Sequence, residues 1–106
     1  MKWHLEIDGR AAKELRIFPA DIKARIFRVG KLLTEFGPEN VGLPHVRRLK
    51  DKLWEMRASG RNGIGRAICF TAEGRRLVIL SAFVKKTQKT PDRELAKAMK
   101  RMLDHG

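Results

Sequence analysis

Acidic residues, cysteines and long apolar runs are all scarce in this sequence. Twelve Asp and Glu stand against 24 Lys and Arg in 106 residues, a formal net charge of +12 at pH 7. Cys69 is the only cysteine, which excludes a disulfide framework and any thiolate cluster for zinc or iron–sulfur, and fits a reducing, cytoplasmic compartment. The longest apolar stretch, Leu77 to Val84, falls far short of the ~18 residues of a membrane span and contains Ser81. The N-terminus lacks a signal-peptide core, so no membrane partner is expected. Repeats, low-complexity tracts and Ser/Gly linkers are absent. The nucleotide-binding and hydrolase signatures are missing too: there is no Walker loop, GxGxxG, HExxH, GxSxG or CxxC. His4, His45 and His105 have no ligand spacing, so no metal or other cofactor is expected.

What remains is one folded domain over residues 1–106. The length suffices to bury roughly two-thirds of the unfolded surface, and 42% hydrophobic residues are too many for a disordered basic tail. A surface of +12 concentrates polyanions and releases their counterions. Nucleic acid is the first expectation, with anionic lipid or an acidic protein as other partners that would satisfy the same field.

Residues 2–7 alternate, with Trp3, Leu5 and Ile7 on one face, and predict a peripheral strand. Asp8-Gly9 breaks it. Ala11 to Phe18 and Ile22 to Phe36 carry helical stripes separated by Pro19 and ended by Gly37-Pro38, giving two helices or one kinked helix. Residues 37–48 read as a loop. Three strands are then expected, Leu53 to Ala58, Gly65 to Thr71 and Arg76 to Val84, with Glu73-Gly74 as a hairpin turn. The doubly apolar Leu77 to Leu80 belongs in the middle of the sheet. Thr90-Pro91 opens a final helix, Thr90 capping it, with Leu95, Ala98, Met99, Met102 and Leu103 as its stripe. The fold class is α+β: an N-terminal strand and two helices, an antiparallel three-stranded meander and a C-terminal helix.

Antiparallel pairing brings Arg57, Arg66 and Lys85-Lys86 to one end of the sheet. Glu55 is the only acid nearby, placed to orient an arginine or to act as a base. The stretch from Arg57 to Arg66, read as a loop, adds three Arg and three Gly, which suit phosphate contact. Such a cluster can cleave RNA without a metal, because the 2′-OH is an internal nucleophile and cations stabilise the charge that grows on the phosphorane. A lysine within a crowd of like charges can serve as general base. Trp54 reads as core or partner-facing, Met99 and Met102 as packed, and Cys69 as a packed thiol.

These residues resemble the HigB-like, phage-derived branch of the RelE/ParE toxin superfamily. The resemblance rests on LKDKLWEMR (49–57), GRAICF (65–70), LVILSAFVKKTQKTP (77–91) and the helix bearing Glu94 and Ala98. It implies a RelE-like fold and a toxin of a type II toxin–antitoxin system. The expected activity is a ribosome-dependent mRNA endoribonuclease that inhibits translation. Its partners would be mRNA, the ribosome with its rRNA, and a cognate helix-turn-helix antitoxin. It places catalytic roles on Arg57, Arg66, Lys85 and Lys86, with Lys50, Lys52, Arg61 and Lys89 as further RNA-binding residues. The chain departs from some relatives in lacking tyrosine and in carrying Leu53 and Glu55 where those have lysine. That leaves the general base open among Lys85, Lys86 and Lys89, with His45 and His105 outside them. The alternatives are a ParE-like inhibitor of DNA gyrase and a non-catalytic RNA-binding module.

Overall fold

Residues 2–105 are described by the computed structural model. The alternating N-terminal segment forms β1 (His4–Ile7), shorter than expected because Trp3 leaves the strand and its amide donates to the Thr34 carbonyl. Asp8 then caps α1 (Gly9–Arg16), its carboxylate accepting from the Arg10 amide at 2.8 Å. Pro19 separates α1 from α2 (Ala20–Phe36), which stops at Gly37 with φ +82°. The stripe is therefore two helices rather than one with a kink. A 3-10 turn over Pro38–Asn40 leads into four consecutive antiparallel strands, β2 (Val46–Lys50), β3 (Leu53–Gly60), β4 (Gly63–Ala72) and β5 (Arg76–Lys85). The last helix is α3 (Asp92–Met102), continued by a 3-10 turn over Leu103–His105.

The sheet has five strands in the order β1-β5-β4-β3-β2, with β1 parallel to β5. Two expectations are corrected. The meander has four strands, because Val46 to Arg48, expected in a loop, belong to β2. β2 sits at the sheet edge and carries Arg47, Arg48 and Lys50, so charge that discourages edge pairing hides its extended period. The doubly apolar strand β5 lies one place off centre. It is nonetheless flanked by β1 and β4 and covered on both faces.

Alternation along β5 feeds two cores. Leu77 and Ile79 join Leu15, Ile22, Ile26 and Leu33 of α1 and α2, whereas Val78 and Leu80 join Phe70, Phe83 and Ala98 on the α3 side. Trp54 and Cys69 are buried in the first core, as expected, with Arg48 stacked 5.6 Å from the Trp54 ring centre. The α3 stripe is narrower than expected. Met99 is 36% exposed and Leu103, past the end of the helix, 77%. Charge completes the attachment: Glu14 of α1 receives Arg101 at 2.8 Å and Lys97 at 3.0 Å, and His105 meets Asp8 at 2.8 Å.

The glycines between Arg57 and Arg66 serve packing. Added β-carbons at Gly60 and Gly65 would lie 2.3 and 2.2 Å from Ile22, so both glycines open the space into which α2 inserts that side chain. The segment is not a loop but a tight hairpin, with Gly60 opposite Gly63 across Arg61-Asn62.

Candidate functional site

Register alone assembles the cluster. Arg57 of β3 lies directly opposite Arg66 of β4, and Arg66 lies opposite Phe83 of β5. Lys85, two residues beyond Phe83 and opposite Ile64, shares that face, diagonal to Arg66. Lys86 follows the strand and is exposed. Glu55, two residues before Arg57, occupies the same face one step deeper, opposite Ile68.

Glu55 is fully buried and organises the arginines. Its Oε1 accepts from Arg47 and from Arg57, each at 3.3 Å, and its Oε2 accepts from the Thr90 hydroxyl. Arg47 also donates to Thr90 Oγ1 at 3.0 Å. Glu55 thus orients guanidinium groups, one of the two roles open to it.

Segment 86–90, which links β5 to α3, closes over this face. Arg57 donates to the Gln88 side-chain oxygen at 2.9 Å, and Arg66 to the Lys89 carbonyl at 2.8 Å. Thr90 is itself buried, so the residue expected to cap α3 points its hydroxyl at Glu55, and the helix starts from Pro91 without a side-chain cap. Arg66 has no exposed surface, and its guanidinium carbon sits 5.8 Å from the Phe83 ring centre. Its Nε and one Nη have no partner. Burial pulls this guanidinium below its ordinary range; Glu55 opposes the shift, and Arg57 and Arg47 add to it. Three guanidinium groups against one carboxylate leave a local excess of two positive charges. Two unused donors at the centre of that excess suit an anion.

The other expected RNA-binding residues divide by position. Arg61 lies in the β3–β4 turn, its amide donating to Asp21 at 3.1 Å, and Lys89 lies in the covering segment. Lys50 and Lys52 flank the β2–β3 turn, beyond Leu53. Leu53 stands four residues from Arg57, about 13 Å at roughly 3.3 Å per residue, so this pair is not part of the cluster. Arg47, Gln88 and Thr90 escaped the sequence reading. Arg47 fell in the presumed loop, and the Glu55–Thr90 pairing has no sequence period. Among the described residues no group of three His, Cys, Asp or Glu is placed to hold a metal ion, and no helix is long and apolar enough to cross a membrane.

A family model described as phage-derived protein Gp49-like matches residues 13–103. The chain is a Gp49-like protein. The fold of this Gp49-like chain is that of the RelE toxins. It superposes on a doubly substituted E. coli RelE toxin in the free state with a TM-score of 0.64 at 16% identity, covering 96% of this chain and 99% of that one. The toxin–antitoxin complex RelBE2 from Mycobacterium tuberculosis gives a TM-score of 0.59 at 14% identity, covering 80% of this chain and 100% of that one. No curated protein matches the sequence. The expected phage-derived family is borne out by the family model, and the expected RelE-like fold by the two structures.

Proposed function

We propose that this Gp49-like protein is the toxin of a type II toxin–antitoxin system, and that it cleaves mRNA in the ribosome with Arg57, Arg66, Lys85 and Lys86 around the scissile phosphate. The observation that carries the proposal is Arg66, buried at the centre of a cationic cluster with two guanidinium nitrogens unused. Family membership and the RelE fold support the toxin reading.

The chemistry needs no further group. The 2′-oxygen attacks phosphorus and gives its proton to a base, the bond from phosphorus to the 5′-oxygen breaks, and that oxygen takes a proton from a lysine ammonium of the cluster or from water and leaves as a 5′-hydroxyl. A 2′,3′-cyclic phosphate remains. Arginine and lysine stabilise the charge on the non-bridging oxygens during transfer. Lys85, Lys86 and Lys89 are the candidates for the proton acceptor. Phosphate reaches Arg66 when segment 86–90 moves aside, exchanging the Lys89 carbonyl and the Gln88 amide oxygen for phosphate oxygens. Lys50 and Lys52, at the far end of β3, fit rRNA contact rather than the reacting phosphate. The partner that neutralises the toxin is a helix-turn-helix antitoxin.

Expression of the chain, and of a Lys85→Ala/Lys86→Ala variant, tests the proposal through growth and primer-extension mapping of mRNA ends. Codon-phased cuts that disappear in the variant support it. Growth arrest with intact mRNA and an SOS response points instead to a gyrase poison of the ParE kind. RNA binding without arrest points to a non-catalytic module.

A further inference from the structure

A second feature adjoins the cluster from the opposite side of Arg57. The β3 end, α2 and the segment preceding β2 enclose a cleft of about 880 Å³, within the roughly 300–1,000 Å³ of ordinary ligand sites. Four arginines face it, Arg25 and Arg28 from α2 and Arg47 and Arg57 from the sheet, and no carboxylate lines it among the described residues. Its apolar wall is made by Leu32, Leu43 and Pro44, of which Leu43 is 71% exposed. Arg25 is fixed by donating to the Ser59 carbonyl, Arg28 is exposed, and the buried Nε of Arg47 has no partner. Neither α2 arginine stood out in the sequence, where both fall on the polar face of an amphipathic helix.

We propose that this cleft binds the nucleotide next to the phosphate held by Arg57, taking single-stranded RNA with its phosphates on Arg25 and Arg28 and its base against Leu32, Leu43 and Pro44. The inference deepens the nuclease reading and rests on it. Three features favour RNA over an acidic protein segment. The space is a cleft with room for a nucleotide, it pairs guanidinium groups with an apolar wall, and Arg57 is common to it and the cationic cluster. Bases stack on guanidinium planes as well as on aromatic rings, and the cleft offers both, its four arginines and the imidazole of His45. The apolar wall itself reads no base edge, and any preference for a base comes from His45, Ser59 and Gln88, which also line the cleft.

The test measures fluorescence anisotropy of a labelled 2′-O-methyl oligonucleotide, which binds but lacks the attacking hydroxyl. Arg25→Ala/Arg28→Ala, and Arg28→Ala alone as a variant that leaves the Ser59 contact intact, are compared with Lys13→Ala/Lys100→Ala, which removes equal charge elsewhere. The cleft double variant is expected to lose at least tenfold in affinity and to flatten the salt dependence by about 1.4, at roughly 0.7 per phosphate contact. Arg28→Ala takes about half of that slope, and the control double variant changes affinity less than twofold. Equal losses in the two double variants, or no binding by the unaltered chain, overturn the proposal. So does unchanged RNA binding accompanied by weaker binding of an acidic antitoxin. Cleavage of an unmodified mRNA is scored separately. If the unaltered chain binds through the cleft yet never cuts, the nuclease reading fails and the cleft remains.

Discussion

Replacing Glu55 by glutamine probes the cluster at its least replaceable atom. The change keeps an acceptor for the Thr90 hydroxyl but removes the only negative charge among Arg47, Arg57 and Arg66. Removing one partner of a buried ion pair costs about 3–5 kcal/mol. Here the Arg47 side chain is 38% exposed and that of Arg57 12%, so water takes up part of the loss, and the expected cost is about 2–3 kcal/mol. For a domain of this size that is a fall in Tm of about 10–20 °C, readable by circular dichroism at pH 7 and low salt. The second readout is specific to an anion site. With the carboxylate neutralised, the excess grows from two positive charges to three, so inorganic phosphate raises the Tm of Glu55→Gln more than that of the unaltered chain. A fall of less than about 3 °C, or equal stabilisation of both proteins by phosphate, would refute the reasoning that Glu55 neutralises and orients an anion-binding cluster.

Gly65→Ala places a β-carbon 2.2 Å from Ile22 Cγ2 and is expected to cost about 1–3 kcal/mol by overpacking; a cycle with Ile22→Ala gives less than additive loss in urea denaturation, and additivity contradicts the packing account. The Arg10 guanidinium, with His105 adding to it, holds the Asp8 carboxyl well below the usual carboxylate range against the opposing effect of burial. A folded pKa below the unfolded value contributes stability above the unfolded pKa of ~3.9 and loses it as pH falls further. Asp8→Asn therefore lowers stability at pH 7 and flattens the acid limb below about pH 4; an unchanged acid limb would show the contact to be idle. Burial pushes the Cys69 thiol up to about 12, so alkylation of the native protein proceeds at the rate of opening rather than at that of a free thiol.

Much of this architecture was legible because periodicity and turn chemistry are local. The alternations from Trp3 and from Leu53, the Gly65 strand and the apolar run from Leu77 predict four of the five strands. Antiparallel register then brings Arg57 and Arg66 face to face without any structure. What stayed hidden depends on contacts distant in sequence. β2 was obscured by the charges that protect an edge. The role of Gly60 and Gly65 becomes visible only once Ile22 of α2 is known to enter the space they leave. Thr90 looked like a cap because Thr-Pro commonly starts a helix, and only the fold brings Glu55 within reach of its hydroxyl. Arg25 and Arg28 resemble any solvated helix face until the cleft appears beside them.

The central claim is RNA cleavage by 2′-OH attack at the Arg57–Arg66–Lys85 cluster. The most direct measurement incubates the purified chain with ribosomes carrying an mRNA of defined A-site codon and maps the product ends. The account predicts a single cut ending in a 2′,3′-cyclic phosphate and a 5′-hydroxyl. A 2′-deoxy nucleotide at the scissile position abolishes that cut, and so does the Lys85→Ala/Lys86→Ala variant. Cleavage that persists through the 2′-deoxy nucleotide, or a 5′-phosphate product, would contradict it.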